Sequence, residues 1–202
     1  MKNFISLFDC PVFVSEHKNI ENKKIKKYIL DYYKTNKGRK LSNSGGFQSD
    51  NLNFNQPELQ DFFKSVIMDL NYYFEKTGGN SNAFEVMITD CWFNINGKNS
   101  FNWPHKHDGY LSAVYYVDAD EDTGDLIFSH PSSVLPIEWK PSWFKQPFPA
   151  NSSKWPLKPK SNKCYIFPSW LEHYVETNNT NKTRISIALN TTVVEKGINF
   201  YT

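Results

Sequence analysis

Three histidines and one arginine are the residues of this chain whose types and spacing could form a metal and dicarboxylate site. Only Lys106 separates His105 from His107, and on an extended strand side chains two positions apart point to the same face. One strand end could therefore present two imidazoles to a single ion. His173 would add a third imidazole from a distant stretch. Arg184 follows it across an Asn-rich turn, within the reach of a hairpin.

The segment 184–190 alternates between two kinds of residue, as a strand with two different faces does. Ile185, Ile187 and Leu189 form an apolar face that we expect to be core. The opposite face carries Arg184, Ser186, Ala188 and Asn190. This polar face either meets solvent, as in a half-covered antiparallel sheet, or lines a cavity. In a cavity, the guanidinium could bind a carboxylate through two hydrogen bonds and the hydroxyl of residue 186 could add a third.

These motifs resemble those of the 2-oxoglutarate and Fe(II)-dependent dioxygenase superfamily, with His-x-His, a distant His and then Arg-x-Ser. More narrowly, the chain is similar to a group of small oxygenases found in bacteria and tailed phages. The resemblance covers roughly residues 43–191. Its motifs are Gly-Gly-x-Gln-Ser, Trp-x-Asn, His-x-His, Leu-Ser-x-Val-Tyr-Tyr-Val, Phe-Pro-Ser-Trp-Leu-x-His and Arg-x-Ser-x-x-x-Asn, found here at 45–49, 92–94, 105–107, 111–117, 167–173 and 184–190.

The resemblance implies that His105, His107 and His173 hold Fe(II), and that Arg184 and Ser186 bind the distal carboxylate of 2-oxoglutarate. The same four residues, the histidines and Arg184, are then the catalytic set. The implied reaction hydroxylates a protein side chain or a small molecule, with release of succinate and CO2. The cosubstrate is thus a small molecule, while the sequence leaves the identity of the substrate open.

The chain departs from the wider superfamily at His107, where most members have aspartate or glutamate. A neutral imidazole in place of an anionic ligand leaves more positive charge on the metal, which should change affinity and redox behaviour. Asp108 is an alternative ligand. On a regular strand it would face away from His105 and His107, so it would need a bulge or turn at Gly109 to reach the ion.

Three further residues are candidates for the cosubstrate pocket, each with a second interpretation. Asn94 could place its amide near the 1-carboxylate or the keto oxygen of 2-oxoglutarate, but an Asn just before Asn96-Gly97 is equally typical of a turn. Tyr116 and Trp92 could wall the same pocket, although aromatic residues in strands usually belong to the core.

Two other classes of protein compete with this interpretation. A cupin-like dioxygenase with three histidines would keep iron and O2 but not use 2-oxoglutarate, so that Arg184 would bind the carboxylate of the substrate itself. A non-catalytic jelly-roll module, for binding or for a phage structure, would explain the β-rich composition and the aromatic content of 16%. The second alternative gives no reason for an arginine beside three histidines.

Composition predicts one domain in a reducing compartment. The 202 residues suit a single dioxygenase-like domain, and the net charge of +2 gives no signal for nucleic acid or a membrane surface. Cys10, Cys91 and Cys164 lack the paired spacing of a disulfide framework or zinc site. No stretch approaches the ~20 apolar residues of a membrane span. We therefore expect a cytoplasmic protein, in the host cytoplasm if phage-encoded, as a monomer or a homodimer.

Periodicity predicts an α+β, mainly β fold. An N-terminal arm (4–14) and helices at 18–34 and 57–76 make up residues 1–80, and residues 81–202 form the β core. Strands are predicted at 83–94, 111–117, 125–129, 163–167, 172–177 and 183–192. This pattern indicates a distorted double-stranded β-helix, jelly-roll or cupin-like, buttressed by the helices. The long segment 132–160, with Trp139, Trp143, Trp155 and several prolines, is predicted to be a flap.

Overall fold

A computed structural model describes residues 3, 8–132 and 140–197 of the chain. Two α-helices occur in these ranges, α1 (Asn22–Thr35) and α2 (Gln60–Lys76). The strands are β1 (Phe13–Glu16), β2 (Asn43–Ser44), β3 (Phe47–Gln48), β4 (Phe84–Asn96), β5 (Phe101–His105), β6 (Leu111–Asp118), β7 (Leu126–Ser129), β8 (Lys154–Leu157), β9 (Lys163–Pro168), β10 (His173–Val175) and β11 (Arg184–Glu195). Neither helix in the described ranges is long and apolar enough to cross a membrane.

Both helices form where the sequence predicts them, because each carries an apolar stripe at helical spacing. A short 3-10 turn, Pro57–Leu59, leads into α2, and proline suits such a first turn because its missing N–H needs no partner there. Gly78, at φ +90°, follows the end of α2 in the left-handed conformation that glycine adopts without strain. The apolar stripes of α1 and α2 face the sheet, with Ile25, Ile29, Phe62, Val66 and Leu70 buried.

Two antiparallel sheets form the β core. One contains six strands in the order β1-β9-β6-β11-β4-β3, and the other contains five in the order β2-β5-β10-β7-β8. Both helices contact the six-stranded sheet, α1 at β6 and α2 at β4 and β9. A second, smaller apolar cluster joins the two sheets through Tyr116, Leu126, Phe128, Phe167 and Leu171. The predicted arrangement of a double-stranded β-helix with buttressing helices is confirmed.

The central strands of the six-stranded sheet separate an apolar face from a polar one. Phe93 of β4 pairs with Ile187 of β11, which pairs with Tyr115 of β6, and all three are buried in the core under the helices. The residues on either side of them in sequence point the other way, because successive side chains in a strand alternate. The polar positions of β11 therefore face the interior between the two sheets, so of the two alternatives the cavity lining is the correct one.

Several details differ from the sequence prediction. The segment 132–160 is not a flap throughout, because β8 pairs in register with β7 and so belongs to the sheet. Pro156 is tolerated there because β8 is an edge strand, where a missing N–H need not cost a ladder bond. Residues 140–153 contain two short turns, Pro141–Trp143 and Pro149–Asn151. Trp139 and positions 4–7 of the predicted arm lie outside the described residues. Near the predicted end of the arm, Phe13–Glu16 form strand β1.

Candidate active site

The three predicted histidines lie together in the structure. Their ring centroids are 4.5 Å apart for His105 and His173, 4.8 Å for His105 and His107, and 5.2 Å for His107 and His173. One ring nitrogen from each residue can be chosen so that all three lie within 4.8 Å of one another. This spacing lets one ion contact all three nitrogens. Asp108 is not part of the cluster and its residue is exposed.

A bulge in β5 brings the first histidine into place. His105 pairs with His173 of β10, whereas Asn102 pairs with Val175, so β5 uses one more residue than β10 between these pairs. Strict alternation would point Asn102 and His105 to opposite faces, but the extra residue turns both toward the same cavity. The bulge contains Pro104, which cannot donate to a ladder.

His107 does not extend from the same regular strand as His105, which corrects the sequence prediction. β5 ends at His105, and the backbone N–H of His107 donates to the carbonyl oxygen of Ser169 at 3.0 Å. Its imidazole lies beside the Trp92 ring, with a centroid distance of 5.6 Å. The shared position of the two histidines thus depends on the β9–β10 connection as well as on their spacing in sequence.

Backbone carbonyl groups fix the proton positions of two of the imidazoles. Nδ1 of His105 lies 2.6 Å from the carbonyl oxygen of Trp103, and Nδ1 of His173 lies 2.9 Å from that of Leu171. A carbonyl oxygen only accepts, so Nδ1 carries the proton in both rings. Nε2 of each neutral ring then keeps its lone pair for a metal, which is the usual arrangement around metal-binding histidines.

Burial keeps the imidazoles neutral. Loss of solvent lowers the pKa of His173 to about 3 and that of His107 to about 4, with the neighbouring His105 adding to both shifts. Burial also lowers the pKa of His105, against a smaller opposing effect of its hydrogen bond to Trp103. Since a metal binds only the neutral imidazole, this donor set is ready for a metal at neutral pH.

A polar row crosses the six-stranded sheet beside the histidines. Ser186 of β11 pairs with Asn94 of β4 on one side and with Tyr116 of β6 on the other, so the three side chains lie next to one another. All three line the cavity that also contains the histidine cluster. The Oδ1 atom of Asn94 is buried without a hydrogen-bond partner in the described part of the chain. Of the two interpretations of Asn94, the one that makes it a turn residue is wrong, because Asn94 lies within β4.

Arg184 lines the same cavity and is only 1% exposed. Its Nη1 donates to the carbonyl oxygens of Thr123 and Gly124, the latter at 2.8 Å, whereas its buried Nη2 has no partner among the described residues. Burial lowers its pKa, yet guanidinium stays protonated. No carboxylate in the described ranges pairs with it, and the buried Asp125 pairs instead with Lys158 at 3.0 Å. A buried cation with a free donor in a cavity is suited to an anionic ligand.

Sequence reasoning missed four residues of this site. Asn96 and Asn102 also line the cavity, and the carbonyls of Thr123 and Gly124 hold the arginine. Alternation along β4 could have identified Asn96, two positions after the predicted Asn94. The bulge hides Asn102 from that argument.

Comparison with known proteins gives a family match and several structures of similar fold. A family model described as "Putative 2OG-Fe(II) oxygenase" matches residues 90–190. A search of curated proteins gives no match. The fold is similar to that of a Pseudomonas putida prolyl-4-hydroxylase, with a TM-score of 0.59 and 15% identity over 91% of this chain and 92% of that one.

Two further solved structures share the fold. A Trichoplax adhaerens prolyl hydroxylase in complex with a peptide fragment of the hypoxia inducible factor oxygen degradation domain gives a TM-score of 0.59, with 13% identity over 90% of this chain and 83% of that one. The epimerase SnoN in complex with Fe3+, alpha ketoglutarate and nogalamycin RO gives 0.63, with 12% identity over 95% of this chain and 84% of that one.

The residues present fit the two groups that such enzymes bind. The neutral histidine cluster suits a divalent iron, and Nη2 of Arg184, which has no partner among the residues described, suits a carboxylate of 2-oxoglutarate. The matched region includes all three histidines and the arginine and covers half of the 202-residue chain. The chain therefore belongs to this family and is a 2-oxoglutarate and Fe(II)-dependent oxygenase.

Proposed function

We propose that His105, His107 and His173 are the iron ligands of this enzyme and that Arg184 binds the distal carboxylate of 2-oxoglutarate. The single observation that carries the proposal is the position of Arg184. It is a buried cation whose Nη2 has no partner in the described part of the chain, and it lines the same cavity as the three histidines. A dicarboxylate placed between them would meet the arginine at one end and the metal at the other.

The polar row adds contacts to the same cosubstrate. Ser186 and Tyr116 offer hydroxyl groups and Asn94 offers an amide, and all three line the cavity together with Arg184. These groups can hydrogen-bond carboxylate and keto oxygens, which fixes the orientation of the cosubstrate. The row thus supports the binding of 2-oxoglutarate between Arg184 and the histidines.

The apolar walls of the histidine cluster serve to exclude water. The Phe167 ring lies 4.7 Å from the His173 ring by centroid, and Trp92 borders His107. When bound, Fe(II), 2-oxoglutarate and O2 supply the oxidation of a C–H bond to C–OH, with conversion of 2-oxoglutarate to succinate and CO2. The residues of this chain hold these groups in place and keep the site dry during the reaction.

The substrate of the hydroxylation is a protein side chain or a small molecule. Similarity to two prolyl hydroxylases supports a protein side chain, and similarity to SnoN, which is bound to nogalamycin RO, supports a small molecule. The 140–153 part of the predicted flap stays a candidate for a cover over the site. It should gain protection from hydrogen exchange when metal, cosubstrate and substrate are all bound.

The ligand assignment is tested by comparing His107→Ala with Asp108→Ala. Each variant would be titrated with Mn(II) in place of Fe(II), and bound metal would be measured by calorimetry and by metal analysis after gel filtration. We expect His107→Ala and His173→Ala to lose most of their metal and Asp108→Ala to keep it, since Asp108 lies outside the cluster. Loss of metal in Asp108→Ala together with retention in His107→Ala would refute the three-histidine assignment.

A second measurement tests the reaction itself. Purified enzyme with Fe(II) and 2-oxoglutarate should form succinate slowly even without its substrate, and the rate should rise when a true substrate is added. Arg184→Ala should lower this succinate formation at limiting 2-oxoglutarate. Succinate formation that is equal in the variant and the wild type would place the carboxylate site elsewhere.

A further inference from the structure

The connection between β6 and β7 holds the guanidinium of Arg184 through its backbone. Nη1 of Arg184 donates to two successive carbonyl oxygens, those of Thr123 and Gly124. A nitrogen with both hydrogens used in this way cannot also bind a ligand. The guanidinium is planar, so fixing Nη1 also fixes the direction of the free Nη2.

We propose that residues 120–124 are a positioning loop for Arg184, and that Gly124 is the residue that makes this loop possible. The inference rests on the proposed role of Arg184 in binding 2-oxoglutarate. It explains why the arginine presents one nitrogen to the cavity, and it assigns a function to loop residues that do not line this cavity.

The surroundings of Gly124 admit no side chain. Its φ is +93°, in the region that L side chains rarely adopt. A Cβ at this position would lie 2.4 Å from the carbonyl oxygen of Glu176 and 2.9 Å from Nη1 of Arg184. Any other residue would therefore press directly on the guanidinium and on the strand end behind it. Only glycine lets the carbonyl of residue 124 and the arginine approach this closely.

Further contacts fix the first residues of the positioning loop. Thr123 is fully buried, and its hydroxyl donates to the carbonyl oxygen of Asp120 at 2.7 Å. Lys182, two residues before Arg184, lies 3.1 Å from a carboxylate oxygen of Asp120 and 3.3 Å from one of Asp122. The loop is thus connected to the strand that carries the arginine both at the guanidinium and two residues before it.

A fixed Nη2 also sets the length of the dicarboxylate that the site accepts. The metal end of the cavity is formed by three histidines that lie outside β11, so the distance from them to Nη2 is a property of the fold. We expect this distance to favour 2-oxoglutarate over 2-oxoadipate, which is one methylene longer. A loosened loop would let the guanidinium move and reduce that selectivity.

The test compares Gly124→Ala with Gly78→Ala. Gly78 has nearly the same φ, +90°, but a Cβ there meets nothing within 4 Å, so it controls for the strain of a positive φ. Binding of 2-oxoglutarate and of 2-oxoadipate to the Mn(II)-loaded proteins would be measured by calorimetry. We expect Gly124→Ala to weaken 2-oxoglutarate binding by about tenfold or more, the equivalent of one hydrogen bond to a charged group, and to narrow the preference between the two acids. Gly78→Ala should bind as the wild type does.

A second variant, Thr123→Val, keeps the inference testable if Gly124→Ala does not fold. It preserves volume and removes only the hydroxyl bond to Asp120, so we expect a smaller loss of affinity and selectivity in the same direction. The Mn(II) content of every variant should equal that of the wild type, because no metal ligand is changed. Wild-type affinity and selectivity in Thr123→Val and in any folded Gly124→Ala would overturn the role of the loop. Absence of 2-oxoglutarate binding to the wild type would instead overturn the proposed function.

Discussion

Replacement of Arg184 by methionine removes the guanidinium while filling much of its volume, so it separates the charge from the packing. In the wild type, Nη2 is the nitrogen free to bind a carboxylate, because Nη1 is engaged by the carbonyls of Thr123 and Gly124. The substitution deprives 2-oxoglutarate of this donor. It also removes a buried charge that no carboxylate in the described ranges balances.

The expected loss of affinity follows from the contact that is removed. A hydrogen bond that involves a charged group contributes about 1.5–3 kcal/mol, so Kd for 2-oxoglutarate should rise about 10- to 150-fold. A ligand at 100 times its Kd stabilises the folded protein by about 2.7 kcal/mol. If Kd rises about 100-fold, the same concentration stabilises Arg184→Met by only about 0.4 kcal/mol.

Calorimetry with Mn(II)-loaded protein measures Kd, and urea unfolding with and without 2-oxoglutarate measures the stabilisation. Metal content is the control, since Arg184 is not one of the three proposed metal ligands. The carbonyls of Thr123 and Gly124 lose a donor, while the cost of burying the charge disappears, so we expect the metal-loaded variant to fold. A Kd equal to that of the wild type would refute the assignment of Arg184 to the cosubstrate.

Three further outcomes are expected. Asn94→Asp should weaken 2-oxoglutarate binding more than Asn94→Ala in the same calorimetric assay, because it places a second negative charge beside a bound carboxylate. Equal Kd values for the two variants would contradict this. The folded-state pKa values of His107 and His173, about 4 and about 3, lie below the usual ~6.5. At a pH between the folded-state and the usual value, the unfolded chain therefore binds more protons than the folded protein. The free energy of unfolding of the metal-free protein should therefore reach its highest value above pH 7. As pH drops to 5, it should fall by up to ~1.4 kcal/mol per pH unit per histidine, and by less for the partly exposed His107. Urea unfolding at both pH values measures this, and a flat profile would count against it. Burial raises the pKa of the Cys91 and Cys164 thiols, so both should resist a thiol reagent in the native protein and react after unfolding. Rapid labelling of the native protein would contradict this expectation.

Much of the fold was predictable because helices and strands produce a periodic pattern of apolar residues over short stretches of sequence. The apolar stripe of α2 and the alternation along β11 need only neighbours in sequence to be recognised, and both elements form close to the predicted bounds. The same alternation placed Arg184 and Ser186 on one face, and the structure shows that this face lines a cavity. The residue types at 105, 107 and 173 likewise indicated three imidazoles for one ion before their positions were known.

Other features depend on segments that are far apart in the chain, so only the tertiary structure could decide them. The bulge that turns His105 toward the cavity is defined by its pairing with β10, and the carbonyl of Ser169 fixes the backbone of His107. β8 forms a strand because it pairs with the edge of β7, although the prolines of the segment 132–160 predicted otherwise. The carbonyls that hold Arg184 belong to the backbone, and any residue type carries the same carbonyl group. Sequence alone therefore determined which side chains could do the chemistry, and contacts between distant parts of the chain determined where each of them points.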